Sequence, residues 1–296
     1  MTIQSHHKDA LHPDIPSLVL HDGTELPRLG QGTWHIGDNP DQRQEEIETL
    51  RLGVELGMRV IDTAEMYGEG RSEELVGEAI RGIRDQVFLV SKVYPHNAGL
   101  NRIAKSCEAS LKRLGTDHLD LYLLHWMGNI PLEETVEGME RLVTEGKIRR
   151  WGVSNLDTSE MKKLTSLERG GHCAVNQVLY HLGSRGIEYD LLPWQRANGM
   201  PVMAYCPIAQ AGSLRSELVH DPSVKAVAER HGITPYQLLL AWCIRHPDVM
   251  AIPKTSSPEH VRDNAAAARV QLTEEDLNLL DQAFPAPGHK VPLDIV

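Results

Sequence analysis

In the stretch RVIDTAEMYGEG, Arg59 to Gly70, the apolar pair Val60 and Ile61 runs straight into Asp62, and Tyr67 follows five residues later. An ionised carboxylate at the end of a buried run is costly unless something neutralises it, so Asp62 calls for a partner from elsewhere in the chain. The run is too short for a helix and reads as a buried strand opening onto a polar loop.

The same pattern repeats on both sides of it. Short apolar runs occur at Leu29–Thr33, Val60–Asp62, Val87–Ser91, Leu119–Leu124, Trp151–Ser154, Ala174–Val178, Pro201–Tyr205 and Val249–Ile252. Segments of helical period lie between them: Ile47, Leu50, Val54; Leu75, Ala79, Ile83; Ile103, Cys107, Leu111, Leu114; Leu132, Val136, Met139, Leu142. Thr234-Pro235 marks a helix start, and Thr273 with Asp276 forms a capping-box pattern before a last helix, with Leu272 and Leu277 at staple spacing. Asp22-Gly23 between apolar residues predicts a small N-terminal hairpin with a type I′ turn. Eight strand-helix units without a Gly-, Ser- or Pro-rich linker predict an α/β fold, a (β/α)8 TIM barrel with an N-terminal β-hairpin and a C-terminal helix, forming one domain over 18–296. The rival doubly wound sheet wants Gly-x-Gly-x-x-Gly after the first strand, and Gly30-Gln31-Gly32-Thr33-Trp34-His35 fails at the last glycine.

The chain has 296 residues, and its formal charge of -11 argues against nucleic acid and against anionic membrane surfaces as partners. No apolar run approaches the ~20 residues of a membrane span. Cys107, Cys173, Cys206 and Cys243 are widely spaced, which speaks against a disulfide framework or a zinc knuckle and for a reducing cytoplasm. Residues 1–17, with His6, His7 and His12, read as a flexible extension without a secretory profile. A monomer is the expectation for the whole.

In a barrel, chemistry sits at the carboxyl ends of the strands. Here those ends are polar: Asp62, Lys92, His125, Ser154-Asn155, Asn176-Gln177, Tyr205 and Lys254-Thr255. Neighbouring strands lie ~4.8 Å apart, so Asp62, Lys92 and His125 should converge, and the short loop after Asp62 should fold Tyr67 over them. Asp62 would anchor Lys92, and the ammonium would lower the pKa of the Tyr67 phenol by roughly 1 to 3 units. A metal-dependent hydrolase is the weaker alternative, because His-x-His and His-Glu-x-x-His are missing. GVSNL, Gly152–Leu156, lacks the second glycine of a nucleophile elbow.

With these residues placed, the chain resembles the aldo-keto reductase superfamily from about Leu18 to Phe284, and within it the bacterial methylglyoxal reductase-like branch. GMRVIDTAEMYG, VFLVSK, LDLYLLHW, IRRWGVSN, NQVLYH, MAYCP and AIPKTSSPEHVRDN carry the likeness. The resemblance implies a metal-free reductase of small aldehydes and ketones that uses NADPH. Tyr67 would be the proton donor, with His125 orienting the carbonyl and Lys92 and Asp62 supporting the phenol. NADPH contacts would come from Gly32, Thr33, Trp34, Asp62, Ser154, Asn155, Gln177, Tyr205, Ile208, Ser213, Lys254, Thr255, Ser256, His260, Arg262 and Asn264. Trp34, Tyr94, His125 and Trp126 would line the substrate side. A cofactor-binding module of the same fold with little turnover is the alternative from another class. Three departures stand out: His260 replaces a usual arginine with Arg262 two residues on, Leu179 replaces a glutamate, and the tail PAPGHKVPLDIV is short, implying an open pocket.

Overall fold

The computed structural model describes residues 15–296. The expected extension with His6, His7 and His12 lies outside the described residues as far as residue 14; within 15–17, Ile15 is already buried and Ser17 opens the first strand. Strands β1 (Ser17–Val19) and β2 (Glu25–Pro27) pair antiparallel as the expected hairpin. Its turn differs from the expected type. Only Gly23 takes a positive φ, +85°, whereas a type I′ turn needs two such residues. The Leu20 carbonyl accepts from the Gly23 amide at 2.9 Å, and Asp22 instead uses its carboxylate to accept from the Thr24 amide at 3.0 Å.

Eight strands follow: β3 (Gln31–Gly32), β4 (Val60–Asp62), β5 (Phe88–Val93), β6 (Leu121–Leu124), β7 (Trp151–Ser154), β8 (Asn176–Leu179), β9 (Val202–Tyr205) and β10 (Val249–Ala251). All neighbours are parallel and hydrogen bonded in chain order. The sheet closes on itself: the Gly30 amide donates to Ala251 O at 2.9 Å, the Ala251 amide to Arg28 O at 2.9 Å, and the Gly32 amide to Pro253 O at 3.0 Å. Gly32 is needed at that seam, because a Cβ there would lie 2.7 Å from the Ile252 carbonyl oxygen.

The helices form the outer layer. They are α1 (Arg43–Glu55), α2 (Arg71–Ala79), α3 (Ile103–Leu114), α4 (Leu132–Thr144), α5 (Thr158–Ser166), α6 (Leu191–Ala197), α7 (Ser213–His220), α8 (Pro222–His231), α9 (Pro235–Cys243), α10 (Pro258–Ala267) and α11 (Glu274–Ala283). The stripes predicted for α3 and α4 are buried throughout. Ile83 is not on α2, which ends at Ala79 before Gly82 turns the chain with φ +84°. Both predicted caps are present: Thr234 bonds the Gln237 amide and Thr273 the Asp276 amide, each at 3.2 Å. Three helices, not one, separate β9 from β10.

Strand parity sorts the side chains. Ile61, Leu89, Tyr122, Val153, Val178, Val202 and Val249 pack in the large cluster that includes the helices. Val60, Val90, Leu121, Leu123, Val175, Met203, Met250 and Ile252 form a second cluster with Leu18, Leu20 and Leu26 of the hairpin. The hairpin therefore plugs one end of the barrel. Two residues further along β4, β5, β8 and β9, the same inward parity delivers Asp62, Lys92, Gln177 and Tyr205 towards the other end.

Candidate active site

Lys92, fully buried, donates to Asp62 Oδ2 at 2.7 Å, to the Thr63 carbonyl at 2.8 Å and to Tyr67 Oη at 3.0 Å. Three acceptors match the three N–H bonds of an ammonium. The acceptors hold the Lys92 pKa above its usual value even though burial alone would lower it. Asp62 accepts at its other oxygen from Gln177 Nε2 at 2.8 Å, a bond that reaches across the barrel from β8. Burial draws the Asp62 carboxyl upward, while Lys92 and Gln177 pull it back. The carboxylate at the end of β4 thus has a buried cation as its partner.

Tyr67 comes from a loop that folds back after β4, with Gly68 and Glu69 in left-handed backbone at φ +57° and +55°. Its ring meets that of His125 edge-on, centroids 5.8 Å apart at 76°. One expectation is corrected here. Burial raises the Tyr67 pKa above the ordinary phenol value, and the opposing pull of Lys92 does not overcome it, partly because the Asp62 charge acts the other way. Strand order reveals the nearby cation, whereas the desolvation of a phenolate depends on what covers the ring. The phenol keeps its proton. Burial, reinforced by the Lys92 charge, also pushes His125 down to about 2, so its imidazole is neutral. His125 Nδ1 is buried without a hydrogen-bond partner.

These groups stand at the wall of a cleft of about 900 Å³. The structure brings Gly32, Thr33, Trp34, Asp62, Tyr67, His125, Trp126, Ser154, Asn155, Gln177, Tyr205, Ile208, Lys254, Thr255 and Ser256 to its lining, all of them predicted. Several already bond one another: Thr33 Oγ1 to the Asp62 carbonyl at 3.0 Å, Ser154 Oγ to the Gln177 carbonyl at 2.8 Å, and Tyr205 Oη to Asn155 Oδ1 at 2.8 Å. Lys254 is exposed and makes no hydrogen bond among the described residues; beside it, the Ser257 side chain caps the start of α10.

Other predicted residues stay outside the cleft. Ser213 opens α7 on the surface, His260 and Arg262 are exposed on α10, and Asn264 of the same helix is buried. Arg262 donates to the Pro258 carbonyl of its own helix at 3.1 Å. Tyr94 sits behind Trp126, edge-on at 6.0 Å, and reaches the cleft only through it. Asn176, named as a strand end, has the outward parity of β8 and donates to Leu156 O at 2.8 Å. Lys92 acts from beneath the lining.

Sequence reasoning missed His35, Met66, Met127, Glu160, the neighbours of Ile208 in the run Cys206–Ala211, Arg215, Ile252, Ile295 and Val296, all of which line the cleft. His35, Asn155, Cys206 and Ala209 are also left-handed non-glycine residues, with φ between +49° and +65°. Such strain gathers at functional sites and leaves no trace in composition. The position rule for barrel loops could have found Cys206–Ala211, which directly follows β9. Among the described residues, no three His, Cys, Asp or Glu side chains cluster as a metal site.

The profile of the Aldo/keto reductase family matches residues 28–284. This chain belongs to the aldo/keto reductase family. The reductase is 57% identical over 271 residues to Methylglyoxal reductase YeaE of Escherichia coli (strain K12), covering 92% of this chain and 95% of that protein. Among solved structures, it matches an aldo/keto reductase from Klebsiella pneumoniae in complex with NADP and acetate. The TM-score is 0.93 at 57% identity, over 95% of this chain and 100% of the other. A second Klebsiella pneumoniae aldo-keto reductase structure, in complex with NADPH, aligns with the same TM-score and identity. No helix among the reductase's described residues is long and apolar enough to cross a membrane.

Proposed function

We propose that this enzyme reduces small aldehydes and ketones of the methylglyoxal type to alcohols with NADPH, in one barrel domain spanning 18–296. The carrying observation is the chain from Asp62 through Lys92 to the Tyr67 hydroxyl, set beside a neutral imidazole in a cleft large enough for an extended dinucleotide. The cleft fits that group: an exposed Lys254 near the capped start of α10 suits a phosphate, and the deep end is lined by the polar side chains of Ser154, Asn155, Gln177 and Tyr205.

NADPH, when bound, supplies the hydride. Tyr67 Oη holds the proton that the carbonyl oxygen receives as negative charge develops there. As that proton leaves, the phenolate forms against the Lys92 ammonium, which is therefore stabilising in the transition state more than in the ground state. His125, neutral and with one N–H to donate, orients the carbonyl oxygen. Ser154, Asn155 and Gln177 would hold the carboxamide side of the nicotinamide, with Tyr205 against its ring. Gly32, Thr33, Trp34 and Ile208 would border the dinucleotide, and Lys254, Thr255 and Ser256 would take the adenosine 2′-phosphate. Trp34 and Trp126 wall the substrate, and Tyr94 supports Trp126 from behind. We also place the protein in the cytoplasm as a monomer, supported by four unpaired cysteines and an acidic chain.

The test follows the loss of reduced-nicotinamide absorbance with methylglyoxal and a panel of other aldehydes, for the wild type and Tyr67→Phe. The wild type should turn over. The variant should lose about 10²- to 10⁴-fold in kcat and still bind NADPH. A fully active Tyr67→Phe variant would remove the assignment of the proton donor.

A further inference from the structure

The short tail was expected to leave the pocket open, yet its end returns to the cleft. Past α11 the chain is fastened at successive points. Lys290 pairs with Asp157 and, at 2.8 Å, with Asp190. Val291 packs on Gly186, Leu293 lies against the large core, and Asp294 accepts from the Ser184 hydroxyl. Ile295 and Val296, both more than half exposed, then form part of the cleft wall. The backbone N–H of Val296 faces the Tyr205 hydroxyl. The fastening is local to the site. Asp157 caps α5 three residues after Ser154, so the tail ties the loop following β7 to the approach of α6 and ends over the residue that closes β9.

We propose that residues 290–296 are a strap across the nicotinamide end of the cleft, latched by Lys290, which must lift for NADPH to enter and to leave. The inference rests on the reading of Tyr205 as the nicotinamide seat. The chemistry of the latch is separable from that of catalysis. Ion pairs that are partly exposed are individually weak and sensitive to salt, so this latch opens readily, which suits a segment that must cycle with each turnover. The last two residues have side chains that contribute only wall area. They take no part in the bonds that join Asp62, Lys92, Gln177 and Tyr67, so removing them leaves those bonds in place.

The experiment measures NADPH association and dissociation by stopped-flow fluorescence on the intact chain, on Lys290→Ala and on a chain lacking Ile295 and Val296. Both rate constants should rise together, about threefold in Lys290→Ala and about tenfold in the truncated chain, with the dissociation constant moving much less than either rate. Raising salt weakens the phosphate contact of both proteins alike, so the readout is the difference: dissociation should accelerate more in the intact chain than in Lys290→Ala. Circular dichroism establishes that each variant is folded. NADPH binding with rates unchanged in both variants overturns the strap alone. Failure of the intact chain to bind NADPH overturns the parent reading and the strap with it.

Discussion

Asp62 shows how one residue can be legible and still hold back half of its role. Its partner Lys92 follows from strand order, but the second bond, from Gln177 on the far side of the barrel, depends on the barrel's diameter, which the sequence does not state. Lys254 is the converse case, an exposed ammonium that makes no hydrogen bond among the described residues, although its charge reaches the Glu46 carboxylate. NADPH and NADH differ only in the adenosine 2′-phosphate, and a solvated ammonium of this kind can meet it. Lys254→Ala should therefore raise the Kd for NADPH by about tenfold or more and that for NADH by less than about twofold, measured by fluorescence titration. Equal losses would place the phosphate elsewhere on the rim. His260 and Arg262 belong to the same motif and are exposed on α10, outside the lining of the cleft itself. For the Tyr67 phenol, proximity to a cation can be read from strand order, but the burial that outweighs it cannot.

Among elements, the strands were readable because each is a short apolar run ended by a polar residue, and parity did the remaining work. Asn176 and Gln177 are adjacent, yet one faces the helices and the other the cleft. Where an element packs backbone against backbone, sequence alone is mute, and α2 is the clearest instance. A Cβ on Gly77 would stand 2.7 Å from the Arg113 carbonyl oxygen and 2.8 Å from that of Leu114, at the end of α3. Alanine is the better helix former by about 1 kcal/mol, so propensity alone predicts that Gly77→Ala stabilises the protein. Overpacking costs about 1–3 kcal/mol and cannot be relieved by rotating a side chain, because the obstructing atoms are backbone. The steric effect should win. Urea denaturation of Gly77→Ala should show a net loss of about 1–2 kcal/mol with an unchanged m-value. Catalysis should suffer too, since α2 directly follows the Tyr67 loop and its Ser72 bonds Thr33 Oγ1 at 2.8 Å. A gain in stability would mean that α2 and α3 stand further apart than described.

At the scale of the whole molecule, a closed barrel with its helical coat buries imidazoles in places that have nothing else in common. His125 is pushed down to about 2, and His181 and His246 each to about 4, in every case chiefly by burial. In the unfolded chain all three return to about 6.5. Between those limits the unfolded state binds protons that the native state refuses, so stability rises with pH; it is complete above about 6.5 and drains away as pH falls towards 4 and below. Asp276, lowered to about 2 with His231 and Thr273 as bonding partners, adds to the loss at the acid end. Glu46 and Asp62, both raised by burial, act in the opposite sense within the carboxylate range and offset part of it. Near pH 5 the histidines dominate, and unfolding there should take up on the order of two protons, against almost none at pH 8. Calorimetric unfolding in two buffers of different ionisation enthalpy measures that number directly. Uptake close to zero at pH 5 would mean that these rings titrate freely in the native protein. His125 could then no longer be the neutral donor proposed to orient the carbonyl. The same neutrality predicts that kcat, followed from pH 5 to 8, carries no inflection from His125, because its change of charge lies far below that window.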